Sequence, residues 1–131
     1  MNILLVDDSR TMRNIQKNVL RALGEHAYTE AGDGMEALTA IAAAPSPFDL
    51  MLFDWNMPHM DGLTLVTRVR EKDKATPIIM VTTEAEKARI IDAIKAGVSN
   101  YVIKPFTPDS LLDRVKTTMD KARGASTAAA A

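Results

Sequence analysis

Short apolar runs alternate along the chain with longer segments in which apolar residues recur every three or four positions. The runs are rich in β-branched residues and bounded by turn-forming residues, which is typical of buried strands, whereas the spaced segments are typical of amphipathic helices. Five strand and helix pairs follow one another. Because each crossover between parallel strands is right-handed and covers one face, this pattern predicts an α/β fold: a doubly wound five-stranded parallel sheet with helices on both faces.

The strands are predicted at residues 3–6, 26–30, 48–53, 77–82 and 100–103. Helix ends are predicted from glycines, prolines and capping residues such as Asp33 with Glu36. The fourth helix is predicted at 84–96, and the fifth begins at Pro108. The apolar stripes that support three of the helices are Met12, Ile15, Val19 and Leu23 in the first, Leu63, Val66 and Val69 in the third, and Leu111, Val115 and Met119 in the fifth.

A length of 131 residues fits one domain, predicted at residues 1–123. Residues 124–131 are rich in alanine, with no apolar face to bury, and we predict a disordered tail there. The formal net charge of −1 gives no basic surface that would favour nucleic acid. The first apolar run is far too short for a signal peptide or a membrane span, so a cytoplasmic protein without membrane insertion is expected.

Polar residues suited to phosphoryl chemistry stand at the ends of four apolar runs. Asp7 and Asp8 follow the first run and Asp54 follows the third, while Thr82 ends the fourth and Lys104 follows the fifth. Because open α/β sheets bind ligands at the carboxyl ends of their strands, these side chains are expected to meet at one edge.

Three neighbouring carboxylates disfavour joint ionisation unless a cation compensates, and Mg²⁺ fits best because it prefers oxygen ligands. Taken alone, the sequence Asp7-Asp8-Ser9 also suits a solvated loop with a helix cap. The nearby hydroxyl of Thr82 and ammonium of Lys104 favour a phosphoryl site instead. Asp54 is the best candidate for a nucleophile that forms an aspartyl-phosphate, because it ends the central run.

Four blocks of sequence together resemble the receiver domains of two-component response regulators, and among these the CheY-like chemotaxis regulators. The blocks are Val6-Asp7-Asp8-Ser9, Asp54-Trp55-Asn56-Met57-Pro58 with Met60-Asp61-Gly62, Val81-Thr82-Thr83-Glu84-Ala85, and Tyr101-Val102-Ile103-Lys104-Pro105-Phe106. The resemblance implies a flavodoxin-like strand order and a phospho-acceptor signalling domain that promotes its own phosphorylation and dephosphorylation, rather than an ordinary enzyme.

The resemblance also assigns roles to individual residues. Asp54 would accept phosphate from a histidine kinase. Lys104 would contact the phosphoryl group and Thr82 would move toward it. Tyr101 would act as a conformational switch, although a core aromatic is the alternative. The residues that would organise Mg²⁺ are Asp7, Asp8, Asp54 and, through its backbone carbonyl, Asn56.

Three further residues would set the lifetime of the phosphorylated state, namely Asn56, Thr83 and Glu84. Thr83 differs from the small Ala or Gly often found there in this family. The resemblance also favours a cis peptide bond between Lys104 and Pro105, although trans is the ordinary expectation for such a bond. The implied partners of a monomeric protein are a CheA-like histidine kinase, a FliM-like flagellar motor switch protein or another protein target, and a phosphatase.

Several other interpretations fit parts of the sequence. A nucleotide or flavin domain would need a glycine-rich fingerprint, which is lacking. A haloacid-dehalogenase-like phosphatase would need a D-x-D pattern, but Asn56 occupies its second position. A pure interaction domain would not respond to phosphodonors. A role as a phosphate sink or phosphorelay intermediate is an alternative that the sequence leaves open.

Three aromatic side chains are expected to lie outside the chemistry of the site. Trp55 is expected to be partly exposed, and His26 and His59 to be solvated surface residues.

Overall fold

A computed structural model describes residues 1–130, with side chains described through residue 123, and it contains a sheet of five parallel strands. The strands are β1 (Asn2–Val6), β2 (Ala27–Ala31), β3 (Leu50–Phe53), β4 (Ile78–Thr82) and β5 (Asn100–Ile103). Their order across the sheet is β2-β1-β3-β4-β5. The structure confirms the predicted doubly wound α/β fold and the flavodoxin-like order implied by the resemblance.

Each of the five helices follows a strand. They are α1 (Arg10–Leu20), α2 (Gly34–Ala43), α3 (Gly62–Arg70), α4 (Lys87–Ala96) and α5 (Pro108–Ala130). Four of them begin after a capping residue: the side chains of Ser9, Asp33, Asp61 and Thr107 each accept a backbone N–H bond in the first turn of α1, α2, α3 and α5. Such caps satisfy N–H groups that have no partner inside the helix.

The core has two layers because successive side chains of a strand point to opposite faces of the sheet. In β1, Leu4 and Val6 pack on the side of α2 and α3, while Ile3 and Leu5 pack on the side of α1 and α5. The central strands β3 and β4 are buried over their whole length, as expected for parallel strands covered on both sides. The loops at their carboxyl ends are therefore fixed on a rigid support.

Helix α4 begins at Lys87, so the predicted start at residue 84 is wrong. The backbone groups of Glu84 have other partners: its N–H donates to the Thr82 hydroxyl, and its carbonyl accepts from the Tyr101 hydroxyl. These two bonds hold Glu84 to β4 and β5 rather than to α4. The segment between β4 and α4 thus belongs to the polar edge of the sheet.

The buried stripe of α1 also differs from the prediction. Ile15 is 41% exposed, whereas Gln16 is 2% exposed and lies on the buried face with Val19 and Leu20. Positions 16, 19 and 20 share one face of a helix at intervals of three and four residues. Hydrophobic spacing does not identify a glutamine at a core position. The prediction therefore assigned the buried position to the neighbouring Ile15.

Helix α5 continues to Ala130, beyond the predicted domain boundary at residue 123. Side chains at 124–130, and Ala131 altogether, lie outside the described residues, so the disordered tail at 124–131 stays a prediction. None of the helices in the described part of the chain combines the length and apolar character that a membrane crossing requires.

Candidate functional site

The carboxyl ends of four strands bring together the polar residues that the sequence analysis selected. Asp7 follows β1 and Asp54 follows β3, Thr82 is the last residue of β4, and Lys104 follows β5. Asp7 is 1% exposed, Asp54 is 9% exposed and Thr82 is fully buried. Parallel pairing of β1, β3, β4 and β5 places these strand ends side by side.

The Lys104 ammonium connects two carboxylates across the sheet edge. Its Nζ donates to Asp7 Oδ2 at 2.8 Å and to Asp54 Oδ2 at 3.3 Å. The other carboxylate oxygens accept backbone N–H groups, since Ser9 donates to Asp7 Oδ1 and Trp55 donates to Asp54 Oδ1, at 2.8 and 2.7 Å. Both carboxylates are thereby fixed in orientation. The peptide bond between Lys104 and Pro105 is cis.

Asp7, Asp8 and Asp54 form the one group of three potential metal ligands within the described residues. One carboxylate oxygen from each lies within 4.8 Å of those of the other two. Three carboxylates and one ammonium leave two uncompensated negative charges when all are ionised. Oxygen donors carrying that charge fit Mg²⁺, which takes one or two carboxylates and keeps several waters. Asp8 is exposed, so the group is open to solvent.

Burial raises the pKa of the Asp54 carboxyl above its ordinary value, and the nearby Asp7 carboxylate acts in the same direction. The Lys104 ammonium lowers this pKa, but burial has the larger effect. A carboxylate that is short of solvation is a stronger nucleophile than a fully hydrated one and gains from a cation that approaches it. These properties suit Asp54 as a phosphoryl acceptor.

The loop after β3 is held against Asp54 by a close backbone contact. Gly62 donates its N–H to the Trp55 carbonyl at 2.7 Å, and a Cβ at Gly62 would overlap the Asp54 carbonyl. Trp55 is 4% exposed, so the predicted partial exposure is wrong. The Arg89 guanidinium of α4 lies over the indole, 5.4 Å from the ring centroid, and helps to cover it.

The two histidines lie outside this site. The His59 imidazole is largely exposed, but its Nδ1 is 2.7 Å from Asp33 Oδ2, so it is tied to the cap of α2. His26 is half-buried, with its Nδ1 3.3 Å from the N-terminal amino group, and the prediction of a solvated side chain is wrong for this residue.

Glu84 connects the sheet edge to the aromatic residue of β5. Its N–H donates to the Thr82 hydroxyl at 3.3 Å, and its carbonyl accepts the Tyr101 hydroxyl at 2.7 Å. Its carboxylate accepts the Asn56 side-chain amide at 3.0 Å. Tyr101 is buried, and burial raises its pKa to about 12. A continuous hydrogen-bonded path therefore runs from Thr82 to Tyr101.

Sequence reasoning did not identify two arginines near the site. Arg13 of α1 donates to the backbone carbonyl of Asp7, and Arg89 of α4 covers Trp55. A basic residue one turn into a helix usually indicates a solvated face, so charge patterning alone gave no reason to select either one. The only available signal was the position of Arg13 six residues after Asp7, one turn into the predicted helix.

The comparisons with known proteins agree with this geometry. Residues 3–116 match the family of response regulator receiver domains. Chemotaxis protein CheY1 of Helicobacter pylori is 47% identical over 121 residues, which cover 91% of this chain and 97% of that protein. A chemotaxis protein CheY homolog of Campylobacter jejuni is 46% identical over 126 residues, covering 95% and 96%. The structure of chemotaxis protein CheY4 of Vibrio cholerae is similar with a TM-score of 0.80 at 34% identity, covering 89% and 97%.

The raised pKa of Asp54 predicts a pH-dependent effect of its charge on stability. The folded protein holds this proton more tightly than the unfolded chain, so ionisation destabilises the fold. That loss develops as the pH rises from the unfolded pKa of about 4 through the higher folded value. Without divalent cations, an Asp54→Asn protein should therefore melt above wild type at neutral pH, by about 4 °C for each 1 kcal/mol gained.

Thermal unfolding in EDTA between about pH 3 and pH 8 measures this difference, which should shrink below about pH 4. Asp92→Asn, at an exposed position of α4, is the matched control and should change little at any pH. An Asp54→Asn protein that melts below wild type at neutral pH would show that the ion pair with Lys104 outweighs the burial of Asp54.

Proposed function

The chain belongs to the response regulator receiver family, and we propose from this premise that Asp54 is its phosphoacceptor and that its signal passes by protein contact. The protein is a signalling domain with the character of a CheY-like chemotaxis regulator. The observation that carries the proposal is the buried Asp54 carboxylate, which shares the Lys104 ammonium with Asp7 beside the exposed Asp8.

In the proposed reaction, one oxygen of Asp54 attacks the phosphorus of a phosphohistidine on a kinase. The new O–P bond forms as the N–P bond breaks, and the imidazole leaves with the electron pair and takes up a proton. Asp54 Oδ1 is held by the Trp55 N–H, so Oδ2, which faces Lys104, is the better placed oxygen. The Lys104 ammonium then neutralises charge on the transferred phosphoryl oxygens.

Mg²⁺ bound by Asp7, Asp8, Asp54 and the Asn56 carbonyl would supply charge neutralisation and orient the phosphoryl group. The donor set supports this assignment, because three carboxylates converge and the Lys104 ammonium is the one cation paired with them. Residues of the chain hold the carboxylates in position before a phosphodonor binds. Ser9 and Trp55 fix the carboxylates through backbone N–H bonds, so little reorganisation is needed when a phosphodonor arrives.

The output is proposed to pass through the surface formed by α4, β5 and α5. Thr82 would close on the phosphoryl group, and Glu84 would transmit this movement to Tyr101 through the two backbone hydrogen bonds. Tyr101 is already buried in this structure, so phosphorylation would stabilise the inward position rather than create it. Helix α4 suits such a role because Ala93 is its single fully buried residue.

The proposed partners follow from chemotaxis relatives and from the phosphoacceptor chemistry. They are a CheA-like histidine kinase, a FliM-like motor switch protein and a phosphatase, all in the cytoplasm, where the protein acts as a monomer. A pulldown with the beryllofluoride-activated protein tests the assignment. Retention of motor switch components supports it, whereas retention of a kinase alone would favour a phosphate sink or relay.

We expect Asp54 to be the single site of phosphorylation, with a requirement for Mg²⁺. Incubation with acetyl phosphate and Mg²⁺ should add one phosphoryl mass to the wild type, and intact-mass spectrometry measures this addition. Asp54→Asn should remain unlabelled, while Asp8→Ala should label slowly because it weakens the metal site. Full labelling of the Asp54→Asn protein at another residue would contradict the assignment.

Thr82 should be needed for transmission and not for phosphate acceptance. A Thr82→Ala protein should still gain one phosphoryl mass, because Asp54 and Lys104 are intact. Upon activation by beryllofluoride, its backbone amide NMR signals from α4 and β5 should shift less than those of wild type. Thr82→Ser keeps the hydroxyl and serves as the control. Shifts of wild-type size in the Thr82→Ala protein would refute the proposed coupling while leaving the chemistry intact.

Thr83 should slow hydrolysis of the aspartyl-phosphate. The attacking water must approach the phosphorus in line, and the exposed Thr83 beside Thr82 carries a β-branched side chain with few rotamers. Thr83→Ala should lose phosphate about two- to tenfold faster, a barrier change of up to about 1.4 kcal/mol.

Decay of the phosphorylated protein at equal Mg²⁺ concentration provides the measurement. Thr83→Val keeps the bulk of the side chain and removes its hydroxyl, so it should decay at close to the wild-type rate. Unchanged decay in the Thr83→Ala protein would remove the steric argument, and fast decay in the Thr83→Val protein would assign the effect to the hydroxyl.

A further inference from the structure

Arg13 joins three structural elements beside the acidic group. Its Nη1 donates to the backbone carbonyl of Asp7, and its Nε donates to Glu30 Oε1 on β2 at 3.0 Å. Its own N–H donates to the Ser9 carbonyl in the first turn of α1. The side chain is only 15% exposed. A planar guanidinium can make two such bonds in fixed directions, which a lysine ammonium does not reproduce.

The exposed Asp8 depends on this arrangement more than its neighbours do. The Asp7 carboxylate is oriented directly by Lys104 and by the Ser9 N–H. The Asp8 carboxylate accepts no hydrogen bond within the described residues, although one of its oxygens takes part in the group of three carboxylates. Only the backbone therefore sets where the Asp8 side chain starts and the direction of its Cα–Cβ bond, and the Asp7 carbonyl belongs to the peptide group that leads into Asp8.

We infer that Arg13 is a positioning residue for the metal site: it fixes the peptide between Asp7 and Asp8 and so aims the Asp8 carboxylate at the other two. This inference rests on the proposed Mg²⁺ site. Arg13 bonds to the carbonyl oxygen of that peptide and to none of the three carboxylates, so it acts through the backbone. Residues that orient the ligands of a metal commonly change its affinity by about 10–100-fold.

The positive charge of Arg13 would lower the affinity for Mg²⁺, whereas its orienting effect would raise it. A second positive group near the site repels Mg²⁺, so removal of the charge alone would tighten binding. Glu30 counters this repulsion, since its carboxylate is shared by Arg13 and by Lys17, whose Nζ is 3.1 Å from Oε2. Loss of orientation should weaken Mg²⁺ binding, whereas loss of the positive charge should strengthen it. The two effects of replacing Arg13 can therefore be distinguished by the direction of the change in Mg²⁺ affinity.

Two substitutions separate orientation from charge. Arg13→Lys keeps the positive charge and loses the two-directional guanidinium, whereas Arg13→Gln removes both. Positioning predicts that each variant binds Mg²⁺ about tenfold more weakly than wild type. A charge effect predicts tighter binding by the Arg13→Gln variant and no change in the Arg13→Lys variant. Lys17→Gln is the matched control, because it removes the other cation on Glu30 without affecting the Asp7 carbonyl.

Isothermal titration with Mg²⁺ alone measures affinity, and the Trp55 fluorescence in the same titration gives a second reading. The Mg²⁺ concentration that gives half-maximal labelling by acetyl phosphate should rise in Arg13→Lys by about the same factor as its dissociation constant for Mg²⁺. A purely structural role would lower the melting temperature of the Arg13→Lys variant while its Mg²⁺ affinity stays that of wild type.

Failure of the inference and failure of the proposed site give different results. If wild type does not bind Mg²⁺, the proposed site is wrong and the inference falls with it. If wild type binds and the Arg13→Lys protein binds within about twofold of it, only the positioning role is overturned. Weakened binding in the Lys17→Gln control of the same size would also overturn it, because the effect would then belong to Glu30.

Discussion

The Lys104 ammonium shared by two buried carboxylates is the interaction on which the polar edge of the sheet depends. Asp7, Asp54 and Lys104 follow three different strands, β1, β3 and β5. Each carboxylate has its ion pair only through Lys104, and Lys104 has its two ion pairs only through these carboxylates. Burial of carboxylates without a cation is strongly unfavourable, so Lys104 keeps the site assembled before any metal arrives. It also leaves a net negative charge, which makes the assembled site receptive to a second cation.

Much of this site could be predicted because parallel strands align their carboxyl ends. A residue at the end of an apolar run is placed by the sheet, and Asp7, Asp54, Thr82 and Lys104 all follow that rule. Residues that reach the site from helices obey no such rule. Arg13 acts from α1 through a long side chain, and hydrophobic spacing or charge patterning says nothing about which backbone carbonyl it contacts. The position of Glu84 outside α4 was missed for a related reason: its carbonyl bonds to Tyr101 on another strand, and local sequence does not reveal such a contact.

Helices α3 and α4 differ in how firmly they pack against the sheet. Helix α3 buries Gly62, Leu65, Val66 and Val69, whereas α4 buries only Ala93 completely. Helix α3 follows the loop that carries Asn56, so the parts that would contact phosphate and metal stand on the better packed element. Helix α4 makes fewer buried contacts, and elements with few buried contacts are those that shift at low free-energy cost. The fold thus places the proposed reaction site on a well-packed support beside a helix that is held less firmly.

Glu84 divides its tasks between backbone and side chain. Its N–H and carbonyl connect Thr82 to Tyr101, and both groups are present with any side chain except that of proline. Its carboxylate alone meets Asn56 at the solvent side of the site. In the proposed function, mutation at this position would alter the surroundings of the attacking water while the backbone path to Tyr101 persists. In evolutionary terms, the duration of a signal can drift to match a cell's behaviour without requiring its receiving partner to change in step.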